Sequence, residues 1–422
     1  MNFLQKLKLV FQDSVLRRRV FFTLAILVIF RLLAIIPIPG IDPLRLEQFL
    51  ESNDFFGLLN IFSGGGLSNL SIIMLGVSPY ITASIIMQLL TVMFPKLKAM
   101  YQEEGEAGRR KFSQYSRLLT VPLAFIQGYG FTALLQNQGV LAQLSTFEIL
   151  TNLVVISAGS LLLMWLGELI TEFGLGDGVS LIIFAGIVSS LPSMLARLAF
   201  TFDPSQLPSY IGFLVAAVLV IWGVVVVTEA ERPIPVTYAK QVRGNKVYGG
   251  VSTYLPLRVN QAGVIPIIFA LSILLFPQMI ARFLAAADNE LLQRASTFTL
   301  QLLSNQTFYS VTYFLLVFVF TYFYTAITFD PDSISKNLQR SGAFIPGVRP
   351  GQSTAAYISK ILFHLTLLGA LFLSVIAVLP LMVQVITGIS AVAIGGTGLL
   401  IVVSVVINLL KKLDAQVSAR EY

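Results

Sequence analysis

Long apolar runs return along this chain between clusters of charge, and that alternation ties it to one kind of solvent. A helix needs about twenty apolar residues to cross a hydrocarbon core roughly 30 Å thick. Ten such runs are legible, at 20–37, 72–94, 118–135, 149–170, 179–195, 210–228, 262–280, 308–328, 361–379 and 396–410. The sixth and eighth stand out on hydropathy alone. The fifth is short, and the second and seventh carry Pro79 and Pro266. With 56% hydrophobic and only 12% charged residues, the chain departs far from soluble averages. The expected fold is an all-α polytopic membrane protein of ten transmembrane helices.

Lysine and arginine collect in loops that remain on the cytoplasmic side. Lys6, Lys8 and Arg17 to Arg19 precede the first run, and Lys96 to Arg117 separate the second from the third. Arg232 to Arg258 separate the sixth from the seventh, Lys336 to Lys360 the eighth from the ninth, and Lys411, Lys412 and Arg420 follow the tenth. The opposite loops hold Arg45, Arg197, Arg282 and Arg294, while Arg31 lies inside the first run. Both termini are therefore expected in the cytoplasm. Residues 1–19 read as an amphipathic cytoplasmic arm. No small-residue cleavage site follows the first run, so it reads as a retained span and not as a removed signal peptide.

The net charge of +7 would suit a nucleic-acid partner, but topology alone accounts for most of it. Two basic loops look too structured for anchoring only. In 231–258, the stretches 235–242 and 246–254 read as short strands about Arg243-Gly244-Asn245, with Lys240, Arg243 and Lys246 near the tip. In 330–354, Arg340 precedes a Gly-Pro-rich run that ends on Arg349-Pro350-Gly351. Rigid basic projections on one face suggest docking to something acidic.

Enzymatic chemistry finds little material. No lysine precedes Ser or Thr, so there is no Walker A phosphate loop. Cysteine is absent, which excludes thiolate metal sites and cysteine nucleophiles, and the single histidine is His364. Gly174-Leu175-Gly176-Asp177 matches a short motif of intramembrane aspartyl proteases, but that chemistry needs a second carboxylate within the membrane. Every aspartate falls in a loop or at the end of a run, so Asp177 reads as a helix cap. A solute transporter would place ionisable groups near the midplane. The candidates are Arg31, Glu168 and His364, and the last two lie near the ends of their runs.

Residues 60–71 combine three adjacent glycines, Gly64 to Gly66, with apolar flanks. Each glycine costs a helix roughly 1 kcal/mol relative to alanine. Irregular backbone at membrane depth is tolerated where it is buried in protein or lines a cavity. Residues alone leave two readings open, a segment folded back into the protein or a loop lying on the bilayer.

Several motifs then fall in one order: Ile36-Pro37-Ile38-Pro39-Gly40-Ile41-Asp42, Phe62-Ser63-Gly64-Gly65, the run from Pro79 to Leu90, Glu104 to Lys111, Met164-Trp165-Leu166-Gly167-Glu168, Ala262-Gly263-Val264-Ile265-Pro266, and Ser341 to Gly351. In these the chain resembles the SecY family, the channel subunits of bacterial-type Sec translocons, over nearly its whole length. Its short loops are similar to the cyanobacterial or plastid branch. The resemblance implies two inverted five-helix halves, 20–200 and 201–422, around a central hourglass pore. It implies a non-enzymatic channel that conducts unfolded polypeptides and releases apolar segments sideways into lipid, without a cofactor.

Carried onto this sequence, the resemblance implies a pore ring of Val77, Ile81, Val179, Ile183, Ile268 and Ile401. Asn60, Ile61, Phe62, Ser63, Gly64, Gly65, Gly66, Leu67 and Ser68 would form the plug. Thr82, Gln88, Gln127 and Ser272 match polar positions of a lateral gate. Lys240, Arg243, Lys246, Arg340 and Arg349 would dock a SecA motor or a ribosome. Small subunits of SecE and SecG type, signal peptides, nascent chains and membrane lipid complete the implied partners. The implied location is the plasma (inner) membrane or a thylakoid membrane.

Overall fold

The computed structural model describes residues 12–38, 66–67, 70–137, 139–141, 145–200, 207–238, 241–243, 246–248, 252–285, 289–387 and 390–418. Each of the ten apolar runs is occupied by a helix: α1 (Ser14–Leu33), α2 (Ser78–Met93), α4 (Gly105–Asn137), α5 (Thr146–Phe173), α6 (Gly178–Phe200), α7 (Leu207–Glu229), α8 (Ile265–Ala285), α10 (Gln306–Thr328), α12 (Gln352–Thr387) and α13 (Ser390–Ser418). Three shorter helices, α3 (Pro95–Gln102), α9 (Glu290–Ser304) and α11 (Pro331–Arg340), join them. Among the described residues, Thr146–Phe173, Gln306–Arg340 and Gln352–Val383 are long and apolar enough to cross a membrane by length and composition alone. The bent pair α2 and α3, turning by 113°, gives a fourth.

The helix starts follow from local chemistry. Asp13 precedes α1 and its carboxylate accepts the N–H of Val15 at 2.8 Å and of Leu16 at 3.2 Å. Ser145 opens α5 with a reciprocal bond to Glu148. Pro79 lies in the first turn of α2 and Pro266 is the second residue of α8, positions where a missing N–H is harmless. Both prolines start helices and do not kink them.

Helix ends differ from the sequence expectation. α4 has 33 residues and α12 has 36, about 50 and 54 Å at a rise of about 1.5 Å per residue. Both are longer than a bilayer core roughly 30 Å thick, and the first turns of α4 carry Arg109, Arg110 and Lys111. The second run was expected to be helical from residue 72, yet residues 70–77 form consecutive turns and α2 begins only at Ser78. Hydropathy cannot tell an apolar turn from an apolar helix.

A small sheet caps this helical fold. Strands β1 (Glu231–Tyr238) and β4 (Ser252–Arg258) pair antiparallel from Glu231↔Arg258 to Thr237↔Ser252. Between them β2 (Gln241–Arg243) and β3 (Lys246–Tyr248) close a hairpin with Arg243 opposite Lys246, as the glycine-asparagine turn required. The strands begin four residues earlier than the expected start at 235. A further strand, β5 (Ala343–Phe344), joins β1 at Thr237 and Tyr238, so the order is β4-β1-β5. The two basic loops, read from sequence as separate projections, thus share one sheet. Its inner face, Ile234, Val236, Leu257, Ala343 and Ile345, buries against Ile358, Ile361 and Leu365 of α12. Pro233 faces Pro256 in the register, and neither can donate, so both turn their backbone away from the opposite strand.

Candidate pore and lateral seam

The six aliphatic side chains of the expected ring come from separate stretches. Val77 precedes α2, Ile81 lies on α2, Val179 and Ile183 on α6, Ile268 on α8 and Ile401 on α13. All six belong to one continuous apolar cluster. Five are buried and Val179 is half-buried, its side chain against Gly167 of α5. The cluster also takes Phe30 from α1, Leu163 and Ile170 from α5, and Val317 and Phe320 from α10.

Next to it lies the irregular segment that hydropathy misread. Pro37 and Ser71 bridge antiparallel, with Ile38 N–H donating to the Leu70 carbonyl at 2.9 Å and Ile72 N–H to the Ile36 carbonyl at 3.0 Å. Ser160 of α5 donates its hydroxyl to the Gly76 carbonyl at 2.8 Å. At Gly159 a Cβ would stand 2.0 Å from the Ile72 carbonyl oxygen, so only glycine lets α5 approach this turn. Gly76 has φ +58°, a left-handed conformation that glycine adopts without strain. Much of the turn's backbone is thus bonded within the protein, as buried irregular backbone requires, while the Ser71 hydroxyl is buried without a partner. Of the expected plug, only Gly66 and Leu67 are described; 60–65 and 68 lie outside the described residues. Leu67 is buried in a second apolar cluster with Ile38, Leu70, Met74, Leu75, Phe131 and Leu135.

The four polar residues assigned to the gate lie on the three helices that meet there, since α8 packs against both α2 and α4. Their hydrogen bonds do not cross between the two sides. Gln127 of α4 donates to Thr82 of α2 at 3.4 Å, and both helices belong to the same side. Ser272 returns its hydroxyl to the Ile268 carbonyl of its own helix at 2.9 Å. The Gln88 Oε1 is buried without a partner. A bond that does cross was missed in the sequence: Gln102 at the end of α3 donates to the Ile327 carbonyl of α10 at 3.2 Å. Its position at the end of the charge-bearing stretch 96–102 gave no signal.

The charged candidates are occupied structurally. Asp177 accepts the Ser180 N–H at 3.2 Å and the Ser180 hydroxyl, the geometry of a helix cap. The glycines around it serve close approach. A Cβ at Gly178 would meet the Gly167 carbonyl oxygen at 1.8 Å, and one at Gly174 would meet the Thr23 hydroxyl at 2.5 Å. Arg31 donates to Ser189 of α6 at 2.8 Å, and Glu168 pairs with Arg117 of α4 at 2.5 Å. His364 is exposed, its Nδ1 2.7 Å from the Lys360 carbonyl. Among the described residues no group of His, Cys, Asp and Glu could hold a metal ion. Of the basic docking residues, Arg340 and Arg349 are exposed beside the sheet. Arg243 and Lys246 face each other across the hairpin, and Lys240 lies outside the described residues.

A bundle of apolar helices around a shared aliphatic centre, with irregular backbone buried at depth and a basic sheet at one end, defines a multi-pass membrane channel. The sequence model of the SecY family matches residues 71–410. Protein translocase subunit SecY of Thermus thermophilus is 44% identical over 419 residues, covering 96% of this chain and 94% of that protein. The subunit of Halalkalibacterium halodurans is 42% identical over 424 residues, covering 98% and 97%. The chain belongs to the SecY family. Solved structures agree on the fold: a protein-conducting channel matches with a TM-score of 0.66 and 19% identity, covering 96% of this chain and 93% of that one. A SecY structure that concerns the plug domain and the closed channel matches at 0.68 with 19% identity and the same coverage.

Proposed function

We propose that this chain is the central pore-forming subunit of a Sec translocon, conducting unfolded polypeptides across the membrane and releasing apolar segments laterally into the bilayer. One observation carries the reading. Six aliphatic side chains from four separate stretches share a single apolar cluster. Such a collar excludes water and ions when empty and offers a passing chain no specific hydrogen bond. Conduction that ignores sequence depends on that indifference.

In this reading Val77, Ile81, Val179, Ile183, Ile268 and Ile401 are the ring, and residues 60–68 plug it from outside. The halves 20–200 and 201–422 hinge, and α2 and α4 part from α8 and α10. Both termini face the cytoplasm of a plasma membrane. The resemblance supports these assignments, as do the shared burial of the ring residues and the pairing of Pro37 with Ser71 beside the plug. The basic sheet supports docking of the SecA motor or a ribosome, and a matched structure holds Sec61 in a canine ribosome-channel complex. SecE and SecG type subunits would brace the shell.

A photo-crosslinker at Ile81 or Ile183, in proteoliposomes with SecA, ATP and an arrested secretory precursor, tests the pore. Crosslinks to the precursor that depend on ATP are expected at both positions. A precursor that reaches the lumen without touching either one removes the reading.

A further inference from the structure

The helix α9 presents two apolar faces, and among the described residues only one is covered. Its inner face is fastened to α8, where the buried Ser296 hydroxyl donates to the Ala281 carbonyl at 2.6 Å and Leu303 packs on the main cluster. On the far side Leu291, Phe298 and Leu302 are 75%, 66% and 38% exposed. They stand seven and eleven residues apart and so lie within about 40° of one another around the axis. Arg294, Thr297 and Gln301 hold the sector beside that stripe and are also exposed.

We infer that α9 lies in the outer membrane interface, its Leu291, Phe298 and Leu302 stripe inserted among lipid chains, anchoring the outer ends of the gate helices α8 and α10 to the leaflet. The inference rests on the multi-pass reading. Asn305 ends α9 and is also the cap of α10, its side chain accepting from Thr307 and Phe308, so no linker lets α9 leave the membrane surface. The stripe continues an apolar belt: Phe276 and Ile280 on the last turns of α8 and Phe308, Val311 and Leu315 on the first turns of α10 are exposed as well. A helix with a lipid-facing stripe beside a polar sector, held at a span boundary, has the form of an interfacial helix. A lateral opening that displaces α8 must then drag this stripe through lipid.

The chain has no cysteine, so single cysteines label one site each. Nitroxides at Leu291→Cys, Phe298→Cys and Thr297→Cys, with Leu315→Cys on α10 as the lipid reference, are compared in proteoliposomes by collision with oxygen and with a water-soluble nickel chelate. Oxygen is expected to dominate at 291, 298 and 315, and the chelate at 297. Adding Phe298→Glu to a Leu302→Cys label should reverse that label's preference from oxygen to chelate. Chelate access at 291 and 298 equal to that at 297, with 315 still in lipid, overturns the anchor and leaves the pore reading standing. Shielding of 291 and 298 from both reagents means a protein covers the stripe, which also overturns it. Chelate access at 315 sinks the multi-pass reading itself.

Discussion

Two helix contacts in this bundle are built on opposite plans. Where α5 meets α6 and the turn before α2, glycine and backbone touch with no room left: Gly178 against the Gly167 carbonyl, Gly159 against the Ile72 carbonyl. Where α2 and α4 meet α8, the assigned polar residues place no hydrogen bond across the contact, and Gln102 reaches over from α3 to α10. The first junction leaves no room for even one added side-chain carbon. The second can part after losing little more than apolar packing, which lipid replaces. A channel that opens sideways needs both, a fixed frame and a seam that yields, and helix packing in lipid supplies each with different residues.

The largest effect tests the frame. Gly178→Val puts carbon atoms into the Gly167 carbonyl, and neither backbone can withdraw, so loss of folded protein is expected, with a cost of about 3 kcal/mol or more. Size-exclusion profiles after detergent extraction read it; a monodisperse peak at normal yield would show that the junction is pliable after all. Gly159→Ala should be milder, about 1–3 kcal/mol, because the turn at Ile72 can shift. That shift moves Val77, and the expected readout is a rise in ion conductance of the idle channel in planar bilayers. Gln102→Ala removes the bond across the seam, about 1 kcal/mol or about fivefold in the opening equilibrium. Export of a precursor with a weakened signal peptide should improve accordingly. Thr82→Val with Gln127→Leu removes a long bond on one side of the seam, about 0.6 kcal/mol at most. The same export assay should barely respond, and a response larger than that of Gln102→Ala would show that this pair bridges the seam in some other state.

The ten helices were readable because apolar length is a coarse signal that survives uncertain ends. The frame was harder to see. Gly159 and Ser160 sit in a run that already reads as helix, and nothing in the sequence says which carbonyl they approach. Residues 70–77 are as apolar as a span, so their turns were invisible to hydropathy. The hairpin about Gly244-Asn245 was legible from turn chemistry, but β5 is two residues long and distant in sequence, and no local pattern announces it. The ring residues are aliphatic among aliphatics. Only the family resemblance singled them out, and the cluster they share is the structural support for that choice.

The prolines of the small sheet shape its two borders. An unfolded polypeptide carries a full row of unpaired backbone groups and will add itself as a strand to any bare sheet border within reach. Pro233 and Pro235 lie on the flank of β1 that β5 leaves uncovered, and Pro256 on the outer flank of β4. Neither border offers a continuous ladder of donors, so the sheet is a poor template for a passing strand.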